Sequence, residues 1–196
     1  MKRTFDLVFS IVGIILLFPF FIIIYILIPV GSKGSSVYVQ RRVGRHGIEF
    51  LLYKFRTMEA NSSADGLLTV GTKDIRITRI GRFLRKYKID ELLQLFNVLE
   101  GSMSFVGPRP EVKKYVNYYT EEQMKVLSIK PGITDYASIE FSNESEILGK
   151  AENPQREYVE LIMPKKLKLN LKYLEEQNLY TDIKIIFLTL LKISKS

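Results

Sequence analysis

Residues 7–30 read LVFSIVGIILLFPFFIIIYILIPV, and this stretch decides how the rest of the chain is interpreted. Between Leu7 and Ser32 the only ionisable side chain is that of Tyr25. As a helix, a run of this length crosses about 30 Å of hydrocarbon. It is too long for the apolar part of a secretory signal. Soluble helices rarely lack a polar face. The sequence therefore predicts a membrane helix rather than a signal peptide or a buried core helix.

The topology of this helix depends on its midpoint and its flanks. Pro19 lies near the middle, where it removes a helical hydrogen bond and favours a kink or break. Basic residues occur on both sides, namely Lys2, Arg3, Lys33, Arg41, Arg42 and Arg45. The positive-inside rule would keep both flanks cytoplasmic, which a helix bent at Pro19 would allow. A straight span with a short external N-terminus is the alternative, and the residues alone leave both open.

The remaining residues, 33–196, are predicted to form a compact cytoplasmic domain. The composition of the chain excludes several kinds of catalytic and metal site in it. The chain has no cysteine, which excludes disulfides, thiol nucleophiles, zinc fingers and iron–sulfur clusters. Its one histidine, His46, makes a multi-histidine metal site a poor hypothesis. The net charge of +8 indicates a polyanionic partner, which can be nucleic acid, anionic lipid or a phosphorylated substrate.

Local patterns predict an α+β fold that is mostly helical. Residues 36–55, SVYVQRRVGRHGIEFLLYKF, indicate two strands around a turn at 44–47. Helical spacing begins at Asp74, and a further helix is expected from near Asp90 to Gly101. The polar residues 61–65 are predicted to form a loop. Residues 181–193 form a helix with a wide apolar face, for which we favour the membrane interface over a groove in the core.

The helix predicted after Asp74 is strongly basic. Its cations are Arg76, Arg79, Arg82, Arg85 and Lys86, with no acidic residue among them. A run of charge is usually a solvated face, but like charges at helical spacing repel one another. A bound anion, either a lipid headgroup or a phosphate, would relieve that repulsion.

Three local clusters are candidates for chemistry. Asp90 and Glu91 stand at a predicted helix N-terminus, where acids commonly serve only as caps. Arg109 lies in the stiff segment Gly-Pro-Arg-Pro, and residues 130–134, KPGIT, contain a Pro-Gly turn. Each cluster alone has a structural explanation. Together, a carboxylate pair, arginines and a Mg²⁺-requiring diphosphate are the parts that phosphoryl transfer needs.

These segments, read in order, resemble one family of membrane enzymes. The matching blocks are KRTFDLVFS, QRRVGRHGIEFLLYKFRTM, RITRIGRFLRKYKIDELLQLFNVLEGSMSFVGPRPE, KPGIT and LYTDIKIIFLTLLK. The chain resembles the bacterial sugar transferases, more specifically the monotopic polyprenol-phosphate phosphoglycosyl transferases, over nearly its whole length. At 196 residues it is similar to the small catalytic form, without the extra spanning helices of larger relatives.

The resemblance implies an activity and a set of site residues. The family moves a phosphosugar from a UDP-sugar to undecaprenyl phosphate and releases UMP. Asp90 would be the nucleophile, and Glu91 would help to hold Mg²⁺ or handle a proton, both carboxylates being the expected metal ligands. Phosphate or headgroup contacts are expected from Arg109, Lys54, Arg56, Arg82 and Arg85. Residues 1–32 would form a re-entrant membrane helix bent at Pro19.

The resemblance also implies a location and partners. The protein would lie in the bacterial inner membrane, with its catalytic domain and amphipathic interfacial helices at the cytoplasmic face. UDP-sugar, undecaprenyl phosphate and downstream glycosyltransferases would be its partners, and nucleic acid would not. The rival hypothesis is a non-catalytic, membrane-anchored basic scaffold or a nucleic-acid-binding module. Only Phe83 and Tyr87 are interleaved with the basic residues, however, and nucleic-acid readers usually carry more aromatics.

Two segments depart from the family's pattern. The residue before Pro19 is Phe18, whereas family members often have serine there. After KPGIT the family commonly continues with glycine and an aromatic residue, whereas this chain has Asp135, Tyr136, Ala137 and Ser138. The second segment is expected near the nucleotide sugar, so the sequence does not identify the sugar.

Overall fold

The computed structural model describes residues 1–59, 68–71 and 74–195, and the predicted loop at 61–65 lies outside them. The apolar N-terminal stretch forms one helix, α1, from Lys2–Gly31. Both Pro19 and Pro29 lie inside it, so Pro19 does not end the helix as a break would. Because proline has no N–H to donate, the hydrogen bond of one turn is still missing at Pro19. A bend at that residue stays a prediction.

One face of α1 packs along the rest of the chain. Asp6, Ser10, Phe21 and Ile28 are buried, with spacings that return to the same side of the helix. The two ends of α1 also contact the part of the chain that follows it. Lys2 pairs with Asp182 near the C-terminus, and Gly31 lies against Ile80.

The other faces of α1 are apolar and exposed. Only 11% of its most apolar window is buried inside the protein. In the described part of the chain it is the one helix long and apolar enough to cross a membrane. The sequence-based prediction of a membrane helix rests on the length and apolar composition of this segment. The structure forms both into one continuous helix.

The predicted hairpin is confirmed. Strand β1 (Val37–Val43) pairs antiparallel with β2 (Glu49–Phe55), with Val37 opposite Phe55 and Val43 opposite Glu49. A short 3₁₀ turn, Arg45–Gly47, joins them. Gly47 adopts a left-handed backbone with φ of 76°, which a residue without Cβ accommodates readily.

The remaining elements form a compact helical layer around two short strands. Their bounds are α2 (Arg79–Lys86), α3 (Gln94–Glu100), β3 (Ser104–Val106), α4 (Lys113–Val116), α5 (Glu121–Met124), β4 (Gly132–Thr134), α6 (Tyr136–Glu140), α7 (Glu144–Lys150), α8 (Pro154–Glu157), α9 (Met163–Glu176) and α10 (Leu179–Ser194). The described chain is thus mostly helical with a small antiparallel hairpin, as predicted. The parallel pair formed by β3 and β4 was not predicted, because three-residue strands leave no periodic signal.

Helix α10 has an unusual distribution of polar residues. Thr181 and Asp182 are buried, and the Thr189 hydroxyl lies 2.7 Å from that of Thr134 in β4. The opposite side exposes a set of large apolar residues, namely Ile183, Phe187, Leu190 and Leu191. Ile185 is fully buried on the same side as the threonines, so α10 packs on the protein with a side that is both polar and apolar. The outward side exposes large apolar residues together with Lys184 and Lys192.

Candidate active site

The acidic pair lies in a tight turn between α2 and α3. Ile89–Glu91 form one turn of 3₁₀ helix, and the α-helix begins only at Gln94. The predicted helix start near Asp90 is therefore wrong by one turn. Lys88 turns the chain with a left-handed backbone, φ of 56°, which costs strain in a residue other than glycine. The strained residue directly precedes the turn that carries both carboxylates.

Glu91 is held in a buried network of ion pairs. Its Oε1 accepts a hydrogen bond from Lys54 Nζ at 2.9 Å, and its Oε2 accepts one from Arg109 Nη1 at 3.1 Å. Arg109 Nη2 donates a further hydrogen bond to Oε1. Burial acts to raise the pKa of Glu91, but the charges of Arg109 and Lys54 outweigh it and hold the pKa well below its ordinary value. Glu91 is therefore a fixed, ionised anchor.

Asp90 has the opposite environment. It is 7% exposed, and its Oδ1 has no hydrogen-bond partner among the described residues. Burial raises its pKa, and the negative charge of Glu91 raises it further, against the opposing charges of Lys54 and Arg85. A carboxylate oxygen that makes no hydrogen bond and lies at a cluster of cations is a candidate nucleophile for a phosphorus centre.

Distant elements bring the cations to Glu91. The side chain of Asn97 in α3 joins that helix to β2, accepting from Tyr53 N and donating to Leu51 O at 2.7 Å. This fixes Lys54 beside Glu91. Arg109 follows β3, and its backbone N–H donates to Asp135 Oδ2 at 3.2 Å. Gly107 lies so close to the next segment that a Cβ would be 2.4 Å from Lys130 O, so only glycine fits there.

The other predicted phosphate contacts separate into three cases. Arg85 lies close enough to Asp90 for its positive charge to act against the rise in the pKa of Asp90. The guanidinium of Arg85 donates hydrogen bonds to Thr57 Oγ1 and Thr69 Oγ1. Arg82 is exposed on α2 and makes no side-chain hydrogen bond or ion pair within the described ranges. Arg56 is engaged within the chain, and its predicted phosphate contact stays a prediction. Its guanidinium donates to the carbonyls of Ser32, Lys33 and Gly34, where it fixes the end of α1.

The sequence-based prediction missed three buried polar residues that build the site. They are Asp6 in α1, Asn97 in α3 and Asp135 before α6. A signal existed for two of them, since Asp6 directly precedes the apolar run that starts at Leu7 and Asn97 interrupts an apolar segment. Asp135 was noted only as a departure from the family's glycine. Its carboxylate caps α6 by accepting from Ser138 N at 2.6 Å while it holds Arg109.

The oxygen ligands that a magnesium ion needs are partly in place. Mg²⁺ is usually held by one or two carboxylates together with the phosphates of a substrate. The Oδ1 of Asp90, which has no hydrogen bond among the described residues, could serve as such a ligand without giving up a partner. Glu91 fits only if it exchanges one of its ion-pair partners, because both of its oxygens are already bonded. In the described chain no group of three or more acidic, histidine or cysteine side chains could hold a metal alone.

Comparison with known proteins identifies the family of the chain. A family model described as "Bacterial sugar transferase" matches residues 1–196. The chain is 37% identical to the uncharacterized sugar transferase EpsL of Bacillus subtilis over 195 residues, which cover 98% of this chain and 87% of that protein. It is 34% identical over 197 residues to the UDP-glucose:undecaprenyl-phosphate glucose-1-phosphate transferase of Escherichia coli.

A third relative carries another sugar in its name. The chain is 33% identical over 192 residues to the UDP-N-acetylgalactosamine-undecaprenyl-phosphate N-acetylgalactosaminephosphotransferase of Aeromonas hydrophila. The matches cover 98% and 96% of this chain but only 40% and 42% of the Escherichia coli and Aeromonas proteins. The chain thus spans about two fifths of their length. Since the family model covers the chain from end to end, the protein belongs to the bacterial sugar transferase family.

Proposed function

We propose that the protein transfers a sugar phosphate from a UDP-sugar to undecaprenyl phosphate through a covalent intermediate on Asp90. The observation that carries this proposal is the difference between two adjacent carboxylates. Both oxygens of Glu91 are bonded by Lys54 and Arg109, whereas Asp90 Oδ1 is buried with no hydrogen-bond partner among the described residues. The carboxylate of Asp90, which makes fewer bonds, suits a nucleophile. The carboxylate of Glu91, which is fixed by its ion pairs, suits a residue that holds the neighbouring cations in place.

The reaction proceeds in two displacements at one phosphorus. An oxygen of Asp90 attacks the sugar-linked phosphorus of the donor, the bond to the bridging oxygen breaks, and UMP leaves with that oxygen. A phosphate oxygen of undecaprenyl phosphate then attacks the same phosphorus and releases the Asp90 carboxylate. Lys54, Arg85 and Arg109 offset the negative charge that accumulates as the anions approach.

Mg²⁺ is the proposed cofactor. When bound, it would neutralise charge on the donor diphosphate, which lowers the repulsion that the carboxylate meets. Asp90 and Glu91 are the residues that would hold it, in company with the phosphates. The cations of the chain do not replace Mg²⁺, because Lys54 and Arg109 are already paired with the negative charge of Glu91.

The function is tested with the purified, full-length chain in detergent or nanodiscs. We expect UMP release when the protein receives undecaprenyl phosphate, Mg²⁺ and one member of a panel of UDP-sugars. Without undecaprenyl phosphate we expect about one UMP per protein, since the covalent intermediate would then accumulate. Excess chelator should abolish both signals. A chain that releases no UMP with any donor would instead support the scaffold hypothesis.

We further propose that α1 is re-entrant, with both ends at the cytoplasmic face of the inner membrane. Lys2 Nζ lies 2.6 Å from Asp182 Oδ2, and Arg3 donates to the carbonyl oxygens of Val98 and Leu99. The first turn of α1 is thus bonded to the same domain that its last turn contacts through Ile80. A straight span with an external N-terminus would separate these partners.

Single cysteines test this topology, because the chain has none of its own. Thr4 and Ser35 are exposed near the two ends of α1. We expect neither Thr4→Cys nor Ser35→Cys to react with an impermeant thiol reagent in intact cells, and both to react once the membrane is opened. Ser36→Cys is the burial control, since Ser36 is 2% exposed. Labelling of Thr4→Cys in intact cells would establish the straight span.

The pH dependence of UMP release should report the ionisation of Asp90. Because burial and Glu91 raise its pKa, the rate should fall on the acid side at a higher pH than an ordinary aspartate near 3.9 would give. Lys54 opposes that shift, so Lys54→Met should move the acid limb to still higher pH. Lys113→Met, at an exposed lysine, should not move it. An acid limb that stays in place in Lys54→Met would exclude Asp90 as the titrating group.

A further inference from the structure

The loop that carries Arg109 is attached to a strand too short to be stable alone. Strand β3 has three residues and pairs with β4, also of three residues. Two-stranded sheets are marginal in water even when they are longer. Within the strand, Ser104 N donates to Pro131 O, so the Ser104 edge of β3 faces β4. Just beyond the strand, Gly107 N donates to Thr134 O. The position of Arg109 must therefore depend on what holds the other edge of β3.

That other edge is held by the membrane helix. Alternate N–H groups of a strand point to opposite edges, so Phe105 N points away from β4. It donates to Asp6 Oδ1 at 3.2 Å, and Ser104 Oγ donates to the same oxygen at 3.1 Å. Asp6 is 3% exposed. Lys2 Nζ adds a hydrogen bond to Val106 O at 2.9 Å.

The same turns of α1 also reach the other half of the site. The guanidinium of Arg3 donates to Val98 O and Leu99 O, in the last turn of α3. Helix α3 follows the Ile89–Glu91 turn directly. The beginning of the membrane helix is therefore bonded both to the helix that follows the Glu91 turn and to the strand that precedes Arg109.

We infer that Asp6 is a positioning residue of the active site, which holds β3 so that Arg109 meets Glu91. The packing of α1 against β3 and the formation of the ion pair between Arg109 and Glu91 would then depend on each other. This inference rests on the proposed function for its consequence in catalysis. Its structural content, that Asp6 fixes the segment from β3 to Arg109, can be measured independently of any activity.

The first experiment measures amide hydrogen exchange of residues 104–111 in nanodiscs. Asp6→Ala leaves the hydroxyl of Ser104 and the N–H of Phe105 without their acceptor, so exchange in this segment should accelerate. Ser10→Ala is the matched control. Ser10 is also buried on α1, but its hydroxyl donates only within its own helix, to Leu7 O. Unchanged exchange in Asp6→Ala would overturn the inference, even if the protein proved to be inactive.

The second experiment is a double-mutant cycle on the rate of UMP release. A displacement of about 1 Å in a catalytic group can cost about 100-fold, so Asp6→Ala should lower kcat by about 10- to 100-fold. In an Arg109→Ala background the same change should cost less than about threefold, because the group that Asp6 positions is already gone. Equal losses in the two backgrounds would show a general folding defect and overturn the inference.

Two further variants keep the test decisive if Asp6→Ala folds poorly. Asp6→Asn keeps a carbonyl acceptor at the same place, so it should retain kcat within about threefold. Ser104→Ala removes one of the two hydrogen bonds, so it should give a smaller loss of kcat that again disappears in the Arg109→Ala background. A full loss in Asp6→Asn would mean that the charge matters rather than the position of β3, which contradicts the proposal.

Discussion

Asp90→Asn should lower the rate of UMP release by about 10³-fold or more, because it replaces the nucleophilic oxygen with an amide that cannot form the intermediate. The substitution preserves size, and Asp90 Oδ1 has no hydrogen bond to lose in the described structure. Folding and membrane association should therefore persist. The rate and the covalent adduct are measured together, by UMP release and by the mass of the intact protein after incubation with donor.

The control for Asp90→Asn is Glu100→Gln, which removes one negative charge at the exposed end of α3. It should leave the rate unchanged and the sugar-phosphate adduct detectable. Near-normal turnover in Asp90→Asn would contradict the covalent mechanism. An adduct that persists in Asp90→Asn would place the nucleophile at another residue.

Glu91→Ala should have the largest effect on stability. It leaves Lys54 and Arg109 facing each other with no anion between them, and breaking a buried ion pair from one side costs about 3–5 kcal/mol. The Arg109 side chain keeps 31% of its surface exposed, so we expect the lower end, about 3 kcal/mol. The free energy of unfolding is measured by denaturant titration in detergent, with UMP release followed in parallel.

Glu160→Ala is the matched control for Glu91→Ala. Glu160 pairs with Arg156 at 3.0 Å, but their side chains are 56% and 72% exposed. Solvent screens such a pair, so its loss should change the free energy of unfolding by less than about 1 kcal/mol. If Glu91→Ala were no more destabilising than Glu160→Ala, the buried network would not have the role in stability that we assign to it.

Local sequence patterns were sufficient for the elements whose signal lies within one segment. The apolar length of residues 7–30 predicts α1, since hydrocarbon thickness and helical rise fix the number of residues needed. The alternation on both sides of residues 44–47 predicts the hairpin, because side chains alternate along a strand. The motif blocks identified the family, which the family match confirms. They also gave Asp90 and Glu91 as the candidate catalytic pair, and that assignment stays a prediction.

Tertiary contacts decided which polar groups meet. Lys54 lies in β2, and Arg56 is the first residue after that strand. Although they are two residues apart, Lys54 binds Glu91 and Arg56 fixes the end of α1. Asp6 reaches β3 across almost a hundred residues of chain. No local periodicity specifies such partners, because a charged side chain takes whichever counter-charge the packing of distant segments brings to it. The roles of the two acids differ for the same reason, since Arg109 arrives from another segment beside Glu91 and leaves Asp90 Oδ1 without a partner in the described structure.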